Sequence, residues 1–232
     1  MAKAVRYWAV IPAAGAGARM QANLPKQYLS INGKRILEYT LEHFCTHPKI
    51  EGVIVAIADQ DRYWSQLAIA SHPRIKQTTG GAERCHSVLN CLRVLSTLAD
   101  PDDWVLVHDA VRPCISREDI DCLIETLNEH PVGGLLALPV RDTMKRADRD
   151  NVVKETVNRA GLWHALTPQM FRLATLTRAL EQALAQGLFV TDESQAVELT
   201  GVRPVLVQGR PENIKITHSN DLALAELFLR KL

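Results

Sequence analysis

Residues 13–18 are Ala13, Ala14, Gly15, Ala16, Gly17 and Ala18, a run with almost no side chain. It follows the short apolar stretch Trp8-Ala9-Val10-Ile11, which Pro12 ends. A strand that opens into such a loop leaves consecutive backbone N–H groups bare, and bare N–H groups bind phosphate oxygens. Arg19 and Lys26 come soon after and add full positive charge to the same cradle. A second small-residue loop, Gly80-Gly81-Ala82, runs into Glu83, Arg84 and Ser87. A third loaded stretch is His108-Asp109-Ala110-Val111-Arg112-Pro113. Cations, bare backbone and one strand-end carboxylate are the equipment for gripping a polyanion and neutralising charge on it.

Three phosphate-loop patterns compete for the first loop. The dinucleotide fingerprint G-x-G-x-x-G needs a third glycine where Met20 stands. The P-loop needs G-x-x-x-x-G-K-[ST]; the only Gly-Lys pair, Gly33-Lys34, is followed by Arg35 and has Tyr28 in the first-glycine place. A small-residue turn followed by Arg-Met and then Pro-Lys, as in nucleotidyltransferases, is met by Arg19-Met20 and Pro25-Lys26. A bare G-A-G would be read as an ordinary strand-to-helix turn; the two cations argue against that.

The elements that must position these loops read as alternating strands and helices. Residues 52–58 and 104–108 are short apolar runs rich in β-branched residues, as expected of strands buried on both faces. Shorter strands are expected near 75–78, 135–140, 204–207 and 213–217. Helical spacing marks Ile36, Leu37, Leu41 and Phe44, then residues 62–70, then Val88, Leu92 and Leu95. A capping-box start at Ser116 with Asp119 opens another helix, and residues 173–185, a short helix opened by residues 191–194, and residues 221–231 complete the set. This alternation predicts a mostly parallel sheet with helices on both faces, whose ligands bind at the carboxyl ends of strands. All three loaded loops fall at such ends. The pattern breaks at about 139–162, where residues 143–147 and 152–157 flank a polar turn. That hairpin carries little apolar surface and should project as an arm that needs a partner. The reading is one domain, 1–232, with this β-arm.

Composition narrows the class. Lys+Arg 27 against Asp+Glu 26 leaves +1, so no net basic field points to nucleic acid. There is no apolar leader before the first strand and no run long enough to span a membrane, which predicts a cytoplasmic protein. Five cysteines form no C-x-x-C pair and read as reduced packing residues rather than a zinc site. His108 and His164 sit among apolar residues and read as hydrogen-bonded core histidines, not general bases.

Seven segments together resemble a known family. They are P-A-A-G-A-G-A-R-M with P-K-Q-Y-L, G-G-A-E-R-C-H-S-V, V-H-D-A-V-R-P, P-V-R-D-T-M-K-R, N-R-A-G-L-W-H-A-L-T-P-Q, T-D-E-S and N-I-K-I-T, in order across almost the whole chain. The chain is identified as a member of the 2-C-methyl-D-erythritol 4-phosphate cytidylyltransferase family, enzymes of the non-mevalonate isoprenoid pathway. The resemblance implies a Rossmann-like nucleotidyltransferase fold with a β-hairpin arm and a homodimer. It implies attack by a sugar-phosphate oxygen on the α-phosphorus of CTP, with Mg2+ or another divalent cation, and release of pyrophosphate. The same pattern is shared by enzymes acting on other sugar-alcohol phosphates such as ribitol 5-phosphate. A non-catalytic nucleotide-binding module would be expected to lack Arg19, Lys26 or Lys215, and all are present. Val111 and Ala82 depart from the residues many members carry.

The resemblance also implies roles. Arg19 and Lys26 grip the triphosphate, and Lys215 and Arg159 serve the reacting phosphates. Ala13, Ala14, Gly15 and Gly17 form the phosphate loop, while Gly81, Ala82 and Ser87 meet the cytosine. Asp109 is a metal ligand, directly or through water, or a partner of the sugar hydroxyls. Ala110, Arg112, Thr143 and Thr167 complete the substrate pockets, with Thr143 and Arg159 reaching across a dimer interface.

Overall fold

The computed structural model describes residues 4–15 and 24–231. Seven strands form its main sheet, and β2 (Ser30–Ile31) and β3 (Lys34–Arg35) form a separate short antiparallel pair. β1 (Tyr7–Pro12) lies between β4 (Ile50–Ile57) and β6 (Trp104–Val107) and is parallel to both. β5 (Ile75–Thr79) continues the sheet beyond β4, again parallel. Beyond β6 comes β10 (Trp163–Arg172), antiparallel to β6 and to β7 (Gly133–Pro139), and β11 (Val205–Gln208) closes that edge parallel to β7. The chain runs outward through β4 and β5 and then returns to the other side of β1 at β6. Strand order therefore reverses between β1 and β6, the place where open α/β sheets bind ligands.

Alternation along the central strands builds two cores. In β1, Ala9 and Ile11 point to one face, where they meet Leu37, Leu41 and Phe44 of α1 (Ile36–Cys45) and Ile120, Leu123 and Leu127 of α3 (Arg117–Leu127). Trp8 and Val10 point to the other, against Val88 and Leu92 of α2 (Arg84–Leu95) and Leu176 and Leu180 of α4 (Leu173–Ala185). The expected capping box is present: Ser116 Oγ accepts from Asp119 N at 3.1 Å, and Asp119 reaches back to Ser116 N. α5 (Glu193–Glu198) and α6 (Ser219–Leu229) complete the helices, α6 seating Ala225 in a small third cluster with Ile31, Ile36 and Ile216. No helix among the described residues is long and apolar enough to cross a membrane.

β8 (Met144–Ala147) and β9 (Val153–Val157) pair only with each other in the sheet topology, as an antiparallel hairpin of mostly exposed residues. Asp148 closes its turn, its carboxylate accepting from Asp150 N and Val152 N, with Asn151 at φ 62.

Three expectations need correction, and one stretch without an expected element proves to be a strand. Residues 62–70 do not form a helix but two short 3-10 turns, Trp64–Gln66 and Ala68–Ser71. Asp61 takes the Tyr63 and Trp64 N–H groups and Leu67 is extended between the turns, so Trp64, Leu67 and Ile69 reach the core without helical spacing. Residues 213–217 form no strand; side chains, described below, hold that segment instead of a ladder. His164 is exposed, because β10 runs past the edge of the core before Leu166. Residues 163–172, assigned to no element from sequence, form β10, the longest strand among the described residues. Four of the five cysteines are buried and all are unpaired, with Cys122 exposed.

Candidate active site

Two cavities open at the carboxyl ends of the central strands. The larger, about 470 Å3, is lined from the first loop by Ala13, Ala14 and Gly15, and from the second by Gly81, Ala82, Glu83, Arg84 and Ser87. Lys26, Gln27, Asp109, Ala110, Val111 and Lys215 complete its wall. Side chains hold the loops in place. Gln27 Nε2 donates to the carbonyls of Ala13 at 2.6 Å and Gly15 at 3.0 Å. Gly81 N donates to Ser87 Oγ at 3.0 Å, so in this state the Ser87 hydroxyl shapes the second loop. Ala110 is anchored from α1, whose Thr40 Oγ1 donates to its carbonyl. The loops meet at Gly80, where an added Cβ would lie 2.2 Å from Ala14 Cβ.

The smaller cavity, about 180 Å3, is lined by Arg112, Leu166, Thr167, Gln169 and Asp192, and shares Arg84, Asp109 and Lys215 with the first. Those three residues are the wall between the cavities. Asp109 lies buried at the end of β6 among three cations: Lys215 Nζ at 2.9 Å, Arg84 Nε at 3.1 Å and Arg112 Nε at 3.4 Å. Burial alone would push its carboxyl pKa up; Arg84, Lys215 and Arg112 outweigh that and hold it well below the usual carboxylate range. The segment carrying Lys215 is fixed by Asn213, which donates from Nδ2 to the Thr167 carbonyl at 2.7 Å and accepts at its own carbonyl from Arg112. Lys215 is thus a pocket residue.

His108 is fully buried, as expected. Its Nε2 is 3.0 Å from the Arg112 carbonyl and its Nδ1 2.9 Å from Thr167 Oγ1, while Asp109 N donates to Thr167 Oγ1. One tautomer satisfies all three contacts: Nε2–H donates, and Nδ1 accepts from the Thr167 hydroxyl. Burial pushes the imidazole pKa down to about 3, so the ring stays neutral and orients Asp109 and Thr167 without titrating near neutral pH. Pairing between β10 and β7 skips from Ala165 to Gln169, and this irregularity turns Thr167 toward the site.

The structure gathers Ala13, Ala14, Gly15, Lys26, Gly81, Ala82, Ser87, Asp109, Ala110, Arg112, Thr167 and Lys215 around these two cavities. Gly17 and Arg19 lie outside the described residues. Thr143 and Arg159 are exposed and line neither cavity; Arg159 donates to the Arg141 carbonyl.

The family model for 2-C-methyl-D-erythritol 4-phosphate cytidylyltransferase matches residues 7–231. The chain belongs to this family. It is 56% identical over 223 residues to the 2-C-methyl-D-erythritol 4-phosphate cytidylyltransferase of Vibrio vulnificus (strain CMCP6), covering 96% of this chain and 94% of that one. Identity to the Pseudomonas aeruginosa (strain PAO1) protein of the same name is 53% over 217 residues, or 93% of each chain. The crystal structure of the Francisella tularensis 2-C-methyl-D-erythritol 4-phosphate cytidylyltransferase superposes with a TM-score of 0.85 at 37% identity, covering 96% of this chain and 99% of that one.

Within the cytidylyltransferase family frame, Gln27, Arg84 and Glu193 are among the residues at the site with no role assigned from sequence. Gln27 lies in P-K-Q-Y-L, Arg84 in G-G-A-E-R-C-H-S-V and Glu193 in T-D-E-S. Their motifs were visible; their partners are far away in sequence. Arg84 grips Glu193 with both terminal nitrogens, at 2.6 and 3.1 Å. Val111 lines the larger cavity beside Asp109 and, among the departures from the family pattern, is the one with bulk to narrow it.

A divalent cation would find few protein ligands at this site. Among the described residues no group of three or more His, Cys, Asp or Glu is arranged to hold a metal. Asp109 is the buried carboxylate on the shared wall, and both its oxygens face cations. Such a wall suits an ion carried chiefly by phosphate oxygens, with one or two carboxylates at most.

Proposed function

We propose that this chain transfers the cytidylyl group of CTP to 2-C-methyl-D-erythritol 4-phosphate. The products are 4-diphosphocytidyl-2-C-methyl-D-erythritol and pyrophosphate, a step in isoprenoid precursor synthesis. The observation that carries the reading is the wall of Arg84, Asp109 and Lys215 between two cavities, in a chain of this family. The larger cavity takes CTP and the smaller takes the acceptor phosphate, so the reacting atoms meet at the wall.

An oxygen of the acceptor phosphate attacks the α-phosphorus, and the bond to the bridging oxygen breaks as pyrophosphate leaves. The acceptor phosphate has a second pKa of about 6 and arrives as an anion, so no protein base is required. Lys26, Arg19 and Lys215 neutralise charge on the transferring group and the leaving pyrophosphate. Lys215 must release Asp109 to do so. Asp109 would then hold magnesium, which when bound supplies further charge neutralisation at the phosphates. Backbone groups of Gly81 and Ala82 meet the base, and Arg112 and Thr167 meet the acceptor.

The active unit in this reading is a homodimer in the cytoplasm. The hairpin and its base expose Val152, Val153, Leu162 and Trp163, apolar surface that a second copy would cover. Thr143 and Arg159 would then serve the partner's acceptor pocket.

Pyrophosphate release, measured with CTP and UTP against a panel of sugar-alcohol phosphates, tests the reading. We expect turnover with CTP and methylerythritol phosphate, and roughly tenfold or more less with UTP, because swapped donors and acceptors leave buried groups unpaired. A preference for ribitol 5-phosphate would reassign the acceptor; no release with any acceptor would overturn the activity.

A further inference from the structure

Arg84 and Glu193 belong to the recognised motifs yet have no part in the chemistry above. Glu193 is the first residue of α5 and is 1% exposed. It sits where it does because Gln169 of β10 ties down the start of that helix: Gln169 Oε1 accepts from Ser194 N at 2.7 Å, and its Nε2 donates to Asp192 at 3.0 Å. Arg84 opens α2 on the far side of the site. Its two terminal nitrogens are held by Glu193, which leaves Nε to face Asp109 at 3.1 Å. Burial opposes the charge on Arg84, but Glu193 and Asp109 restore it and raise the guanidinium pKa.

The three cations around Asp109 differ in how they are held. The Lys215 side chain is 41% exposed and reaches Asp109 through a flexible stem. Arg84 is a planar fork clamped from behind by a buried carboxylate. We propose that Arg84 and Glu193 form a fixed brace that keeps the Asp109 carboxylate in position when Lys215 swings away to the reacting phosphates. Arg84 and Glu193 are then positioning residues that act through Asp109. The inference rests on the reading of Lys215 given above. A buried Arg–Glu pair is not in itself a stabilising device, since an apolar pair of like size often serves stability as well. A brace explains why Arg84 of this pair stands on the wall between the cavities, with Glu193 behind it.

Three variants test it: Glu193→Gln, Arg84→Met and the double Arg84→Met/Glu193→Met. Pyrophosphate release gives kcat and both KM values, and thermal melting reports the fold. We expect Glu193→Gln to lower kcat by about tenfold or more while KM for CTP changes by less than about threefold, because the lost geometry matters most when Lys215 has left. The double variant should be no slower than Arg84→Met alone, because Glu193 works only through Arg84. Folded Glu193→Gln with kcat within about twofold of wild type, or a double-variant loss equal to the product of the single losses, would overturn the brace. If Glu193→Gln does not fold, the double variant, which leaves no buried charge unpaired, decides: a large loss of kcat supports the brace and retained kcat overturns it. Failure of the underlying reading looks different. In that case wild type releases no pyrophosphate from CTP, or Lys215→Ala remains active.

Discussion

Two buried aspartates illustrate how environment decides what a carboxylate does. Asp109, at the carboxyl end of β6, is surrounded by three side-chain cations, of which Lys215 is the exposed one that can turn toward a substrate. Asp103, just before the same strand, accepts from the backbone of Arg6 at 2.9 Å and Asp100 at 3.0 Å, and from Trp8 Nε1 at 3.2 Å, with the Arg6 guanidinium beside it. Burial raises the Asp103 pKa, but these donors and Arg6 prevail and hold it below the ordinary value. A carboxylate whose pKa falls on folding contributes stability above its unfolded pKa, about 3.9, and loses it as pH drops through the folded value. Asp103→Asn should therefore be less stable than wild type at pH 7, by about 1–3 kcal/mol. The gap should narrow as pH falls below about 4. Urea midpoints of both proteins across that range check this; a gap that stays constant with pH would contradict it.

At the scale of elements, the larger cavity exists because two loops touch. Gly80 follows β5, and its N–H donates to the Ile57 carbonyl at 2.7 Å. A Cβ there would meet Ala14 Cβ at 2.2 Å and Ser87 Oγ at 3.0 Å. Ala14 cannot turn its Cβ aside, so the loops must separate. Gly80→Ala is expected to raise KM for CTP by about tenfold and to cost about 1–3 kcal/mol of stability, as overpacking does. Steady-state kinetics and thermal melting measure both. Unchanged values for the two would show that the loops tolerate separation.

For the whole molecule, the question is where Arg159 acts. It lies beyond β9 and lines neither cavity of its own chain. In the proposed homodimer it reaches the partner's site. Arg159→Ala and Lys215→Ala should each be nearly inactive alone. In a heterodimer of the two, one site would carry both lesions and the other neither. Co-refolding the two variants should then restore about a quarter of wild-type activity, for random mixing and independent sites. Sites built within single chains would leave the mixture inactive, with heterodimers confirmed by mass.

The amino-acid sequence alone was enough for the alternating α/β order, the three loaded loops at strand ends and the family. The order and the loops rest on local signals: β-branched runs, helical spacing, a capping box at Ser116 and small-residue loops beside cations; the family rests on the resemblance of seven segments. It was also enough to place His108 in the core, because its neighbours in the strand are all apolar. Contacts between distant segments were not legible. Residues 213–217 look like a strand by composition, yet Asn213 and Arg112 give the segment side-chain partners, and no ladder forms. His164 resembles His108 in its neighbours, but only the length of β10 beyond the core decides that it meets solvent. The Arg84–Glu193 pair spans 109 positions, and Gly80 is required by a methyl group from another loop. Local preference depends on the nearest residues in the chain, whereas these contacts depend on how the sheet brings α2, α5 and β6 to one end. Only the tertiary structure decides that.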